Sequence, residues 1–186
     1  MKFDSRDIAL TAVFAALYAV IVIVQGLSAA ATIQLRIADC LIPLSALFGL
    51  PVIFGVTAGC FVSNAYTSAA LSNGVYDVAF GPVANLIAGT LIYLLRNRRL
   101  IGCILGSAAI GLIVGSYIWV IFGPPLGVFG FNFPLSWPVW AASVVSITAS
   151  SLIAIAIIGY ILVTILSRPS IIEPLKSRGL KVVAQK

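Results

Sequence analysis

The chain has 186 residues, of which 61% are hydrophobic and only 9% charged, and its mean hydropathy is +1.16. That composition excludes an ordinary soluble domain and marks an integral membrane protein. Eleven Lys and Arg against five Asp and Glu, with no His, give a net charge of +6 and remove the grouped ligands and bases that zinc proteases, haem proteins and acid–base hydrolases need.

A bilayer span takes about 20 apolar residues, so this length accommodates roughly six spans with short connections. No room is left for a nucleotide-binding domain, and no Gly-x-x-x-x-Gly-Lys-Ser/Thr loop occurs, so ATP-driven work would need partner chains. Asp4 and Ser5 are candidate N-caps for a first span over about 8–27. The 28 uncharged residues Ile8 to Leu35 make it long enough to cross, too long for a signal-peptide core, and Ser28 to Leu35 read as an exit loop. The next uncharged run, Cys40 to Tyr76, is broken at Phe48-Gly49-Leu50-Pro51, which predicts a short second helix over about 38–49 and a third over about 52–70. A short helix at membrane depth is tolerated where protein or a cavity covers its ends, which makes it a place to look for a ligand.

A turn at Ser72-Asn73-Gly74 precedes Asp77 and a fourth span over about 77–95, stopped by Arg96-Asn97-Arg98-Arg99. The 68 uncharged residues Leu100 to Ser167 hold a fifth span, about 100–122, and a sixth, about 139–166. Between them lies the Gly/Pro-rich stretch Gly123-Pro124-Pro125-Leu126-Gly127 through Pro134 and Pro138. A basic tail, 167–186, closes the chain. The expected fold is thus an all-α membrane protein, one bundle of six transmembrane helices with both termini on one side.

Lys2, Arg6, Arg96, Arg98, Arg99, Arg168, Lys176, Arg178, Lys181 and Lys186, ten of the eleven basic residues, fall on that side, which the positive-inside rule makes cytoplasmic. Orientation in the plasma membrane accounts for the basic excess, and no nucleic acid is called for. Arg36 is the exception and shares the outer side with Asp39 and Asp77. One reading pairs Arg36 with Asp39, three residues on, and makes Asp77 a cap of the fourth helix. The other takes these charges as a ligand site beside the short helix.

Asn64 and Asn85 lie inside spans, where an amide needs a partner from another helix or from a ligand. Tyr117, Trp119, Asn132, Trp137 and Trp140 add polar and flat groups at the same end, although tryptophans at a membrane boundary also serve as anchors. Cys40, Cys60 and Cys103 sit singly in apolar stretches, without CxxC spacing, and read as buried small hydrophobes. Ala12-x-x-x-Ala16, Ala15-x-x-x-Ala19 and Gly55-x-x-x-Gly59 are flat faces for close helix contact, within the chain or with a partner. No metal ligand set, cofactor motif or catalytic residue is found.

Six short spans, the helix-one Ala-x-x-x-Ala, the segment Gln34-Leu35-Arg36-Ile37-Ala38-Asp39 leading into a short helix with Pro43, then Gly55-x-x-x-Gly59 and Asn64, resemble the S components of energy-coupling factor (ECF) transporters. Within that group the likeness is to the QueT family, associated with uptake of queuosine precursors. It runs from about Asp7 to Leu166, and its most specific part is Leu-Arg-Ile-x-acidic, where the family is expected to carry Gly-Glu and this chain has Ala38-Asp39.

The resemblance implies a chain that binds its small-molecule substrate near the outer face. It would work with a transmembrane coupling subunit and two cytoplasmic ATPase subunits, toppling to deliver substrate inward. The helix-one face, Ala12 and Ala16 foremost, would be the docking surface. A 7-deazaguanine base offers adjacent N–H donors for a carboxylate, a carbonyl for Arg or Asn, and a flat face for Trp or Tyr, so Arg36, Asp39, Asn64, Asn85 and Trp137, with Asp77 beside them, are the expected contacts. The shorter Asp39 carboxylate leaves a related base open, and biotin, thiamine or riboflavin are rival ligands within the class. A self-sufficient transporter would need an ion path that the nearly uncharged interior does not supply, and an enzyme would need a nucleophile with a base beside it. An assembly protein would use the small-residue faces alone.

Overall fold

Asp4 starts the first helix of the computed structural model, which describes residues 3–26, 35–68, 74–125, 127–128, 131–134 and 136–183. Most of the expected exit loop, Gln34, the Ser72-Asn73 turn, Leu126, Lys2 and Lys186 lie outside these residues. Helix α1 (Ser5–Gln25) has a reciprocal N-terminal box: the Asp4 carboxylate accepts from the Arg6 and Asp7 amides, and Asp7 accepts from the Asp4 amide at 3.0 Å. Its inner stripe is Phe14, Tyr18 and Val22, while Ile8, Val13, Val20 and Val24 point outward. At about 1.5 Å per residue, its 21 residues reach across a bilayer core.

The second element departs from an ordinary helix. Residues Ile37–Leu44 form a 3-10 helix containing Pro43, followed by a single α turn, α2 (Ser45–Phe48), which ends at Gly49 with φ +70°. Together they rise about 22 Å, short of the roughly 30 Å of hydrocarbon. Every residue from Ala38 to Phe48 is buried. The segment is apolar because it is enclosed by the rest of the bundle, packing on α1 and on the helices that follow.

Gly49 and Pro51 then open α3 (Leu50–Ser68), and α4 (Val75–Leu94) follows with Pro82 in its interior. A bend at Arg96–Arg98 leads into α5 (Arg99–Tyr117) and the single turn α6 (Trp119–Phe122). A two-residue ribbon, β1 (Gly127–Val128) against β2 (Phe131–Asn132), fills part of the following connection. The last membrane helix runs as α7 (Val139–Ser151), a π-helical stretch Leu152–Gly159, and α8 (Tyr160–Leu166), and α9 (Pro169–Ser177) follows as a short amphipathic helix.

Among the described residues five helices are long and apolar enough to cross a membrane: Ser5–Gln25, Leu50–Ser68, Val75–Leu94, Arg96–Tyr117 and Val139–Leu166. The short second helix expected over about 38–49 is present as the shorter apolar helix Ile37–Phe48. Helix α1 packs on α3, α3 on α4, α4 on α5 and α5 on α7, and the π-helical stretch closes onto the central segment.

Glycine sets the closest approaches. A Cβ on Gly55 would stand 2.6 Å from the Phe14 Cβ, one on Gly59 2.8 Å from the Tyr18 Cβ, and one on Gly159 2.6 Å from the Pro43 ring. Membrane helices that gain nothing from excluding lipid from one another associate through such contacts. Ala15, whose backbone meets both Gly55 and Gly59, is on the inward side of α1, whereas Ala12 and Ala16 are exposed on the outward side.

The first and last described segments meet at one end of the bundle. Lys181 lies 2.8 Å from Asp4 and 2.6 Å from Asp7, Arg6 donates to the Gly179 carbonyl, and the Val183 amide donates to Leu47 at 2.7 Å.

A buried polar cluster at the other end

The central segment and α4 bring charge into the apolar bundle at the end away from the joined chain ends, and α1, α3 and α5 add polar side chains. Arg36, the residue before the 3-10 helix, extends to α4, where its guanidinium is 3.3 Å from the Asp77 carboxylate. Tyr117, in the last turn of α5, donates to the other Asp77 oxygen at 2.8 Å. Asn64 on α3 donates to the Asp77 carbonyl at 2.8 Å, and both Asn64 and Arg36 reach the Cys60 sulfur, at 3.5 and 3.7 Å. Asp39 stands apart from this set of bonds and accepts from the Tyr18 hydroxyl of α1 at 2.6 Å.

Local sequence explains how the groups converge. Gly81, one helical turn after Asp77, has no side chain, and a Cβ there would collide with the Asn64 amide, so glycine makes room for the α3–α4 bridge. Gln25 at the end of α1 accepts from the Ile37 amide at 3.1 Å and donates to the Leu35 carbonyl, pinning the chain on both sides of Arg36. The alternative of a local Arg36–Asp39 pair is not what forms. Asp77 is in the first turn of α4 but does not cap it: its amide donates to Gly74, and its carboxylate is occupied by Arg36 and Tyr117.

Asp39, Asp77, Asn64 and Asn85 are 5% exposed or less, and the Arg36 side chain 23%. Two carboxylates therefore lie in a nearly closed apolar setting with one guanidinium, which pairs with Asp77 alone, an arrangement that costs free energy unless further donors supply the balance. In and beside the cluster the Asn64 Oδ1 and the Asn85 Nδ2 are buried without a hydrogen bond, and the Asp39 carboxylate bonds protein through one oxygen, to Tyr18. Asn85 lies two turns along α4 from Asp77, about 12 Å deeper.

The predicted residues Arg36, Asp39, Asn64 and Asp77 thus come together, with Asn85 on the same helix as Asp77. Trp137 is elsewhere: it is 44% exposed on the connection before α7 and stacks on Phe133 at 5.8 Å between ring centres. Asn132 is exposed on β2, Trp140 is exposed, and Trp119 of α6 donates to the Ser116 carbonyl at the end of α5. Cys40, Cys60 and Cys103 are free and buried, and no group of three or more Cys, Asp or Glu side chains gathers in a metal-binding array among the described residues.

Tyr18, Cys60 and Gln25 are members that the sequence reading passed over. Tyr18 had a detectable signal. It is the sole hydroxyl on an otherwise aliphatic and aromatic inner stripe, and a buried phenol needs an acceptor.

The family profile of the QueT transporter family matches residues 8–168. The chain belongs to the QueT transporter family. The match covers all five membrane-crossing helices almost completely together with the central segment, so the polar cluster lies wholly within the QueT-like region. No curated protein and no solved structure matches the chain. The QueT assignment makes it a multi-pass membrane transport protein for a small molecule rather than an enzyme.

Proposed function

We propose that this QueT-family chain is the substrate-binding S component of an ECF-type importer and that its cluster binds a 7-deazaguanine-type queuosine precursor. One observation carries the reading: an acceptor on Asn64 and a donor on Asn85 are buried without a protein partner, and Asp39 uses only one of its oxygens, on Tyr18. A guanine-type edge presents the complement, two neighbouring N–H donors and a carbonyl acceptor. Arg36, Asp39, Asn64, Asp77 and Asn85 would form the polar part of the site. Arg36 and Asp77 hold each other and the fold, and Asp39 takes the ligand's donors.

The remaining parts follow from the same reading. The basic residues around the meeting termini would face the cytoplasm, with the cluster toward the outside. The exposed Ala12–Ala16 face of α1 would receive the transmembrane coupling subunit, and two ATPase subunits would supply the energy that a chain without a phosphate-binding loop cannot.

Thermal unfolding of the detergent-purified chain against 7-deazaguanines, biotin, thiamine and riboflavin tests it. A ligand at one hundred times its dissociation constant stabilises the native state by about 2.7 kcal/mol. Stabilisation by a 7-deazaguanine, lost in D39N, is the expected result. A shift with one of the vitamins alone would overturn the substrate while keeping the S-component role.

A further inference from the structure

Resting on that reading, we propose that Tyr18 is the positioning residue of the site. Its hydroxyl holds one oxygen of Asp39 and so presents the other to the exocyclic amine of a guanine-like ligand. Asp39 sits in the first turn of a 3-10 helix, and its carboxylate makes no hydrogen bond within that helix among the described residues. What fixes its carboxylate has to come from outside that helix, and Tyr18 is its one hydrogen-bond partner among the described residues.

Tyr18 is suited to the task. It is fully buried, its hydroxyl is 2.6 Å from the Asp39 Oδ1, and its base rests where Gly59 of α3 leaves no room for a side chain. A planar ring rooted between two helices has few alternative positions. The bond joins an O–H to a carboxylate, the stronger class of hydrogen bond. The second tyrosine of the cluster has a different duty: Tyr117 bonds Asp77, which Arg36 already engages. The two carboxylates are therefore unequal: Asp77 bonds protein through both oxygens, and Asp39 through one, to Tyr18.

The test compares 7-deazaguanine with 7-deazahypoxanthine, which lacks the exocyclic amine, on the purified full-length chain and its Y18F variant. The wild type should prefer 7-deazaguanine by about tenfold, the size expected for one hydrogen bond to a charged acceptor. Y18F should bring that preference to within about threefold, mainly by weakening 7-deazaguanine. Replacing Tyr18 by p-aminophenylalanine, which keeps a donor near the same point, should restore it and gives the answer if Y18F does not fold. Equal weakening of both ligands in Y18F would show that Tyr18 merely supports the helices and would overturn the proposal. So would an unchanged preference in Y18F, or no preference in the wild type. A wild type that binds neither base overturns the substrate reading, and this proposal with it, whereas the other failures leave that reading standing.

Discussion

Arg36 reaches past Asp39, three residues along the chain, and places its guanidinium 3.3 Å from Asp77, forty-one residues away. The pair ties the entry of the central segment to the first turn of α4, and Tyr117 adds α5 to the same carboxylate. Removing one partner strands a charge in an apolar setting, a loss of about 3 kcal/mol. R36A and D77A should each lower stability by that order, and the double variant should lose less than the sum of the two. A simple sum in chemical unfolding would show that the pair contributes no coupling.

Helices α1 and α3 touch through bare backbone. G59L would push Tyr18 outward, so it should destabilise the chain by about 1–3 kcal/mol, as overpacking does, and weaken ligand binding through Asp39 as well. G55L meets Phe14, farther from the cluster, and should cost stability with a smaller loss of affinity. Melting curves read together with binding isotherms separate the two, and equal affinity losses would contradict the assigned geometry.

The join between the termini should respond to pH at both extremes. The Lys181 ammonium and neighbouring amides hold the Asp4 carboxyl below its usual 3.8, and Asp4 and Asp7 raise Lys181 above 10.5. A depressed acid contributes stability above its unfolded value and loses it as pH falls through the folded one. A raised amine contributes below its unfolded value and loses it as pH rises through the folded one. The join should therefore hold steadily from about pH 4 to pH 10 and open outside that window. Asp4 is exposed and Lys181 partly so, and high salt should loosen their pair too. Limited proteolysis after Ser177 measures it, and cleavage rates that ignore both pH and salt would refute the electrostatic account.

Ala12 and Ala16 offer a test of docking apart from binding. A12W and A16W place bulk on the outward side of α1 without touching the inner stripe, so affinity for the ligand should stay within about twofold. ATP-driven uptake by the chain reconstituted with a coupling subunit and ATPases should fall at least tenfold, the scale of a lost close-packed helix contact of about 1.4 kcal/mol or more. Uptake at wild-type rate in both variants would remove α1 as the docking surface.

Much of the fold was readable because charges and breakers punctuate a uniformly apolar chain. Asp4 caps α1, Gly49 and Pro51 divide the central segment from α3, and Arg96–Arg98 marks the bend before α5. The 3-10 form of Ile37–Leu44 was not readable. Its hydropathy resembles that of a spanning helix, and only enclosure by its neighbours shows that the apolar residues face protein. The polar cluster was legible by residue type, since Arg36, Asp39, Asn64 and Asp77 are conspicuous in such a chain. Their pairing was not, because spacing favours the local Arg36–Asp39 contact, whereas the actual partner depends on where α4 begins. Tyr18 and Cys60 were hidden by their resemblance to the apolar residues around them.

The buried central segment also bears on how the protein is made. At about 22 Å, Ile37–Phe48 cannot lodge across a bilayer as a free-standing helix, so it has no stable place when it first leaves the ribosome. Its resting surface is completed only when Gly159 closes on Pro43, and Gly159 belongs to the last membrane helix to be synthesised. Asp39 rides on that segment, so the polar cluster is finished after translation of the whole membrane domain, and a chain halted before its final helix would lack the seat that holds Asp39 in place.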